Sequence, residues 1–433
     1  MKKILKKIIE VIAGFITRRI IRKYKPLIIG VTGSVGKTSV KDAIYVVLKS
    51  KYQVDKSWGN LNTELGIPLA VAGYKSAGTS LSFWLKALWR MACLYWDGEK
   101  KIKNILVLEM GADKPGDIKK LVKLAPPDIG VITNVGISHL EHFEKVSNIV
   151  AEKRKLVEAL DSSGCAVLCG DNKKVLAMDK KTKARVITYG LERHNLVKAT
   201  NLVFYYGEKP VPGEELDWGI SFKLNYQDTI IPIRLKEVLG AQQVQVVLAA
   251  VSCSICMGMN LLEVSEALAH YASPPGRMKI IRGLNGSFIL DDTYNSAPAS
   301  TLAALEVLEE VYSKKKIVVL ADMLELGSQE EKGHQEVGEQ ASKVADFIFT
   351  YGEKGALIAE VAEKTIRKNK VVDAQHFKSQ EDLINELKNL LDKDSVVLIK
   401  GSQKMRMEKV VKAIMTEPNQ AKKLLVRQGK EWQ

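Results

Sequence analysis

No uninterrupted apolar run of about 18 residues occurs in this sequence, so no membrane-spanning helix is expected. Cysteine is scarce. Five in 433 residues is an odd number in a long chain, which argues against a disulfide framework and suits a reducing compartment. Cys253 and Cys256 have metal-ligand spacing, but they sit in an apolar run, VVLAAVSCSICMGM, that reads as a buried helix, and no second pair completes a zinc site. Internal repeats and low-complexity tracts are absent. Basic and aromatic residues are not interleaved as in nucleic-acid binders, so no nucleic acid partner is expected. The N-terminal segment has a broken apolar stretch and no small-x-small cleavage site, so no signal peptide is expected.

What is present is an ordinary globular composition, 46% hydrophobic and 27% charged, in a chain long enough for two or three domains. The net charge of +15 is unevenly placed: residues 1–25 hold nine Lys/Arg against one acid, Glu10, a net +8. Over residues 2–24, Ile4, Leu5, Ile8, Ile9, Ile12, Phe15, Ile16 and Ile20 fall at three- and four-residue steps, with Lys3, Lys6, Lys7, Glu10 and Arg18 opposite. This is a basic amphipathic helix, suited to an anionic membrane surface or to packing on its own protein. Residues 79–96 hold three of the six tryptophans and read as core, although Trp and Tyr beside Lys86 and Arg90 also suit a membrane interface.

Pro26 closes the first helix. LIIGVTG is a strand entering a glycine-rich turn, with a helix from Lys37 to about Leu48. Strands ILVLEMG, DIGVITNVG, AVLCG and ARVITYG follow, separated by helical stretches, an alternation that predicts a mostly parallel sheet. Residues 200–236 read as irregular short strands and residues 241–271 as helix. Ser273-Pro274-Pro275-Gly276 is the strongest break, after which strand and helix alternate again in a second α/β unit. The expected fold is α/β: a central P-loop ATPase-like domain with a mostly parallel sheet over 26–273, a Rossmann-like α/β domain over 274–433, and the amphipathic helix over 1–25.

Gly30-Val31-Thr32-Gly33-Ser34-Val35-Gly36-Lys37-Thr38-Ser39 follows a strand and opens a helix, the context a phosphate loop needs. Glycines let backbone N–H groups close on phosphate oxygens, and the helix N-terminus adds its positive end. Gly33, Ser34, Gly36 and Ser39 would line the phosphates of ATP, Lys37 would pair with the β- and γ-phosphates, and Thr38 would offer its hydroxyl to Mg²⁺. Val31 stands where the strict pattern has glycine. Glu109 ends a strand, and in a parallel sheet that position faces the crevice where ligands bind. His139 follows another strand end. Both are usual cation ligands. Lys153, one helix further on, is by itself a surface charge.

GVTGSVGKTSVKDAI, GNLNTELGIPLAV, VLEMGAD and VITNVGISHLEHF resemble, in that order, the central domain of the Mur ligases. GRM, LDDTYNSAPAS, ADMLELG and KGSQKMRMEKVV resemble the family's C-terminal domain. The resemblance covers about residues 27–415 and is nearest to the MurF type, which adds D-Ala-D-Ala to UDP-MurNAc-tripeptide. It implies a C–N ligase of peptidoglycan precursor synthesis in which ATP converts a carboxylate to an acyl phosphate that an amine then attacks. It implies two Mg²⁺ sites, with Thr38 as the first ligand and Glu109, His139 and a carbamylated Lys153 at the second. By the same resemblance Arg277 reaches the ATP phosphates, Asn295 and Asp292 contact the nucleotide, Asn60, Asn62 and Thr63 line the acceptor channel, and Lys400 and Ser402 lie near the incoming amine. A cytoplasmic monomer is expected, peripheral at the inner face of the membrane where the first helix docks.

Three departures stand out. The family's N-terminal domain, which grips the UDP moiety, has no counterpart ahead of the glycine loop. Leu239-Gly240-Ala241-Gln242-Gln243 replaces a family segment with His-Asn near the nucleotide. The Trp-rich segment looks like an insertion. Two other readings remain open at this point: a ligase for another carboxylate–amine pair, as in folylpolyglutamate or cyanophycin synthesis, and a non-catalytic, membrane-docked nucleotide-binding scaffold.

Overall fold

A computed structural model describes residues 3–59, 61–78, 80–96, 102–136, 143–206, 217–369, 373–429 and 432. The chain separates into two compact units. The first comprises residues 1–201, 222–233 and 244–271, and the second comprises 202–221, 234–243 and 272–433.

The first unit opens with helix α1 (Lys3–Tyr24). Strand β1 (Leu27–Thr32) leads into α2 (Lys37–Lys49), β2 (Val54–Lys56), the short α3 (Gly66–Val71) and α4 (Leu81–Trp96). Strand β3 (Ile105–Glu109), α5 (Asp117–Leu124), β4 (Ile129–Ile132), α6 (Val146–Glu158), β5 (Cys165–Cys169) and β6 (Arg185–Gly190) complete the alternation. The strands lie in the order β2-β3-β1-β4-β5-β6, parallel throughout. β1 sits between β3 and β4, and all three are apolar and buried on both faces, as a sheet covered by helices on each side requires. The sheet continues through β7 (Val197–Tyr206), β8 (Trp218–Tyr226) and β9 (Thr229–Lys236).

Three sequence expectations change here. The described part of 200–236 is not irregular: it lies in long strands of 10, 9 and 8 residues. Trp218, Ile220, Phe222 and Leu224 alternate inward along β8, the period-two pattern of a half-buried strand. Residues 241–271 form two helices, α7 (Ala241–Cys256) and α8 (Leu261–Leu268), because Gly258 takes φ 75° and Asn260 caps α8 through its side chain. Cys256 is bridged to Cys165 at the start of β5, while Cys253 is buried in α7.

Helix α1 packs on α4, α3 and α5 through Ile9, Ala13, Thr17 and Ile20, a stripe at i, i+4, i+8 and i+11. Ile4, Ile8, Ile12 and Phe15, which the sequence pattern groups on the same apolar face, are exposed. One apolar surface read from the sequence is therefore two stripes, one turned inward and one outward. No described helix is long and apolar enough to cross a membrane.

The second unit holds a six-stranded sheet in the order β10-β11-β15-β12-β13-β14. Its strands are β10 (Lys279–Arg282), β11 (Phe288–Asp292), β12 (Lys315–Ala321), β13 (Phe347–Tyr351), β14 (Asp373–Phe377) and β15 (Ser395–Lys400). All pairs are parallel except β10 with β11. Helices α9 (Pro298–Glu310), α10 (Glu330–Val344) and α11 (Gly355–Asn369) join successive strands, followed by α12 (Gln380–Leu390) and α13 (Glu408–Ile414). Two apolar clusters cover the sheet, one containing Leu290, Leu320 and Leu398, the other Ile289, Val319 and Ile399. Neighbouring residues of each strand thus feed opposite cores.

A buried ion triad ties the C-terminal segment to the end of β11. Glu408, 1% exposed, pairs with Arg406 and with Arg427, whose guanidinium also donates to the carbonyl of Thr293 at 3.1 Å. Removing the carboxylate strands two arginines beside a dry core. Glu408→Ala is expected to cost about 3–5 kcal/mol. Denaturant unfolding monitored by circular dichroism checks this, with Glu408→Gln falling between it and the parent chain.

Candidate active site

The site of the first unit forms where β1, β3 and β4 end. β1 stops at Thr32, and the chain turns through Gly33–Gly36 into α2. Gly36 takes a left-handed φ of 85° at the start of α2, and no side chain caps the helix there, so its first N–H groups remain directed at the loop. Gly33 lies so close to the end of β4 that a Cβ would stand 1.9 Å from Thr133 Oγ1. Thr133 Oγ1 donates to the carbonyl of Val35 at 2.6 Å, and Ser34 N donates to the carbonyl of Asn134 at 2.7 Å. The loop is keyed to β4 by these contacts. Lys37 folds back along the loop, its ammonium donating to the carbonyls of Gly33 (2.9 Å) and Ser34 (3.3 Å). Ser39 is buried within α2.

Glu109, the last residue of β3, is 3% exposed. Thr38 Oγ1 donates to its Oε2 at 2.9 Å, Lys41 Nζ stands 3.5 Å from the same oxygen, and Asn62 Nδ2 donates to Oε1 at 3.1 Å. Burial by itself would raise the carboxyl pKa. Lys41 and Lys37, with the hydrogen bonds from Asn62 and Thr38, outweigh it and hold the group below the usual carboxylate range. Glu109 is therefore an anion at neutral pH. Lys41, one helical turn beyond Lys37 and itself 1% exposed, has no place in the phosphate-loop pattern. Its signal in the sequence is only the i, i+4 spacing of two lysines along α2.

Lys153 lies in α6 and is 2% exposed. Burial, then the charge of Lys37, pushes its pKa down to about 7, against smaller opposing effects of Glu152 and Asp113. Lys155, two positions on, sits elsewhere: it pairs with Glu152, whose carboxylate accepts from the N–H groups of Gly116 (2.8 Å) and Ile118 (2.7 Å) at the start of α5. The two lysines that the sequence places almost together are thus a buried amine and a structural ion pair. Thr63 Oγ1 accepts from Gly66 N at 3.2 Å at the opening of α3. Asn60 and His139 lie outside the described residues.

The second unit gathers polar groups at the C-terminal ends of β11, β15 and β12. Asp292 at the end of β11 accepts from Met278 N at 3.1 Å and pairs with the ammonium of Lys400 at the end of β15. Lys400 also donates to the carbonyl of Asn295 at 3.0 Å, and Asn295 Oδ1 accepts from Gln403 N at 3.3 Å. Ser402 Oγ accepts from Leu324 N at 2.8 Å, and Ser402 N donates to the carbonyl of Asp322. Asp322 in turn caps the start of α11 through Gly355 N at 2.7 Å. Asp291, beside Asp292, is wholly buried and accepts from Gly276 N and from Thr293. Burial pushes its pKa up to about 6, the opposite direction to Glu109, because no cation faces it.

Arg277 lies over the ring of Tyr294, 3.8 Å from its centroid, and its Nε is buried with no hydrogen-bond partner among the described residues. A buried guanidinium N–H without an acceptor is a donor that an anionic ligand would satisfy. Gln243, in the segment that departs from the family pattern, donates to the carbonyl of Arg277 at 3.2 Å, so it bears on the main chain of that arginine. The donor set suits a nucleotide with Mg²⁺: the loop's N–H groups and Lys37 for phosphates, and the hard oxygens of Thr38 and Glu109 for the cation.

The Mur ligase middle domain matches residues 31–83 and 94–253, and the Mur ligase glutamate ligase domain matches residues 276–403. A UDP-N-acetylmuramoyl-tripeptide–D-alanyl-D-alanine ligase of Bacillus subtilis (strain 168) is 32% identical over 393 residues, 90% of this chain and 76% of that protein. The ligase of the same name from Escherichia coli (strain K12) is 26% identical over 390 residues, 89% of this chain and 76% of that one. Among solved structures, the MurF ligase of Thermotoga maritima in complex with ADP superposes with a TM-score of 0.75 at 25% identity, covering 94% of this chain and 83% of its own. Two family domains matched in order around this glycine loop, and a relative of such identity over most of both chains, establish that the chain belongs to the Mur ligase family.

Proposed function

We propose that this enzyme adds D-Ala-D-Ala to a UDP-MurNAc-tripeptide in peptidoglycan precursor synthesis, using ATP to activate the peptide carboxylate. The observation that carries the reading is the Glu109 cluster: an anionic carboxylate, 3% exposed, fixed by Thr38, Lys41 and Asn62 beside a phosphate loop. Such a pocket suits phosphoryl transfer, where positioning and charge stabilisation do most of the work. The relatives' names supply the substrates.

In this reading a carboxylate oxygen of the peptide attacks the γ-phosphorus as the bond to ADP breaks, giving an acyl phosphate. The amine nitrogen of D-Ala-D-Ala then attacks the acyl carbon, phosphate leaves, and one proton is released. The N–H groups of Gly33, Gly36 and Ser39 and the ammonium of Lys37 bind phosphate oxygens, and Ser34, whose N–H is held by the carbonyl of Asn134, lines the loop around them. Bound Mg²⁺ neutralises charge on the transferring group. Thr38 would hold a first ion, and Glu109, His139 and Lys153 would hold a second. In the second unit, Arg277, Asp292 and Asn295 bind the nucleotide, and Lys400 and Ser402 serve the incoming amine. Asn60, Asn62 and Thr63 line the acceptor channel. The parts are 1–25, 26–273 and 274–433. The enzyme works as a cytoplasmic monomer, held at the inner face of the membrane by residues 1–24.

Lys153 enters as a carbamate. A lysine near pKa 7 is substantially neutral at physiological pH, and its nitrogen can bond to the carbon of CO₂ with loss of one proton. The product is an anion able to hold a cation where an ammonium would repel it. Burial beside Lys37 supports this choice over Lys155, which is engaged by Glu152.

Phosphate release is expected to require both UDP-MurNAc-tripeptide and D-Ala-D-Ala, with the ligated product seen by mass spectrometry. Lys37→Ala and Glu109→Gln should each lower it by about 10²-fold or more. Release that depends on neither substrate, or ligation of a glutamate-type pair instead, would reject the reading. For Lys153, ¹³C-bicarbonate should give a carbamate signal that grows from pH 6 to pH 8 and is missing in Lys153→Met. Between about pH 7 and 10 the unfolded chain binds more protons at this lysine than the folded one, so its contribution makes stability rise with pH. Thermal unfolding of Lys153→Met over that range should lose this rise.

A further inference from the structure

Helices α1 and α4 pack against each other, and each leaves an apolar stripe unburied. On α1 the stripe is Ile4, Ile8, Val11, Ile12 and Phe15. On α4 it is Leu81, Leu85, Trp89 and Trp96, spaced i, i+4, i+8 and i+15. Trp89 and Trp96 are 73% and 76% exposed, unusual values for the costliest side chain to leave in water. The inner faces of both helices are satisfied separately, through Ile9, Ala13 and Ile20 on α1 and Trp84, Ala87 and Met91 on α4. The outer stripes are thus not the reverse side of a poor core.

The two outer faces meet at the C-terminal ends of the helices. Tyr24 Oη donates to the carbonyl of Leu94 at 2.8 Å, and Lys23 Nζ to that of Tyr95 at 2.6 Å. Beside them a hollow of ≈ 480 Å³ is lined by Arg19, Arg22, Lys23, Tyr95 and Trp96. Arg18, Arg19 and Arg22 continue the line of the α1 stripe, and Lys86 is exposed on α4, while Arg90 turns back to donate to the carbonyl of Ala72 at 2.9 Å. The one acid on either helix, Glu10, is hydrogen-bonded to Glu64 in the body of the first unit. Among the described residues of the two helices the outer surface is therefore apolar with indole side chains and a cationic border, and no carboxylate of either helix other than Glu10 occurs.

We infer that α1 and α4 together form a bilayer-docking face for anionic phospholipid, with a lipid phosphate seated in the Arg19–Arg22–Lys23–Trp96 hollow. An in-plane helix needs apolar side chains that enter the acyl boundary and cations at headgroup level. Tryptophan favours that boundary because its ring is apolar and its N–H polar. A protein partner would also cover apolar side chains, but it gives no reason for the cluster of Arg18, Arg19, Arg22 and Lys23 that continues the α1 stripe. The inference rests on the membrane contact proposed for residues 1–24, adds α4 to it, and does not depend on the ligase reaction.

The test is flotation of the full chain with vesicles of phosphatidylglycerol and phosphatidylcholine, and with phosphatidylcholine alone, without ATP or substrates. Binding is expected to favour the anionic vesicles by more than tenfold and to weaken as salt rises. Phe15→Glu, Trp89→Glu and the double variant Arg19→Glu/Arg22→Glu should each weaken it more than tenfold while the thermal midpoint stays unchanged. Parental tryptophan emission should shift to the blue on anionic vesicles, less so in Trp89→Phe, a variant that keeps an aromatic ring and guards against misfolding. Loss of binding in Phe15→Glu with none in Trp89→Glu would reduce the contact to α1 and overturn the two-helix face. No binding of the parent chain at low salt would overturn the membrane contact itself. So would a dimer that Trp89→Glu dissociates in the absence of vesicle binding.

Discussion

A buried carboxylate at the end of a central strand sets the terms for the first unit. Glu109 has lost nearly all its water and keeps its charge only because Lys41, Thr38 and Asn62 replace that water with fixed donors. The partners come from two segments: the first turns of α2 supply Thr38 and Lys41, and the loop ahead of α3 supplies Asn62. The strand order β3-β1-β4 is what brings these segments to one edge. Once the anion is fixed, its surroundings follow. Lys37 adds a second cation nearby, and Lys153, facing that cation in a dry setting, cannot hold its own proton well at neutral pH.

The second unit answers the same demand differently. Its polar groups also collect at strand ends, where a parallel sheet exposes backbone and helix termini to one side. Asp292 is paired with Lys400, while Asp291 meets hydrogen-bond donors alone and burial pushes its pKa up to about 6. Asp322 spends its carboxylate on the start of α11. His334, buried in α10, accepts from Met323 N at 3.0 Å through Nε2 and bonds the carbonyl of Glu330 through Nδ1, a fixed neutral tautomer with a structural task. Met323, in the ADMLELG block, is thus anchored to α10 by a contact of the fold.

How much of this could be read from residues alone depended on whether the signal was local. The strand–glycine turn–helix around Lys37 was legible because glycine positions and a strand end lie within ten residues. Glu109 was legible as a strand end, but Lys41 was not, since a lysine on a helix is ordinarily solvated and only the tertiary fold turns it inward. Thr133 and Asn134 escaped for the same reason: their contacts cross about a hundred residues of chain. The amphipathic reading of α1 found the right helix and merged two faces into one, because periodicity tells which residues are apolar and not which neighbours exist. The alternation along β8 was visible in principle and was obscured by the polar residues that flank it in the sequence. Lys153 and Lys155 could not be ranked by spacing, and only burial separates them.

The close approach of Gly33 to Thr133 has a consequence for how such a site can change over time. A single methyl at position 33 would strike the hydroxyl of Thr133, and shrinking residue 133 to make room would release the carbonyl of Val35 from its only side-chain donor shown. Neither position can be altered by itself without disturbing the loop that the other helps to hold. The two behave as one unit of inheritance, although a hundred residues of sequence separate them, and substitutions there should be found only in pairs.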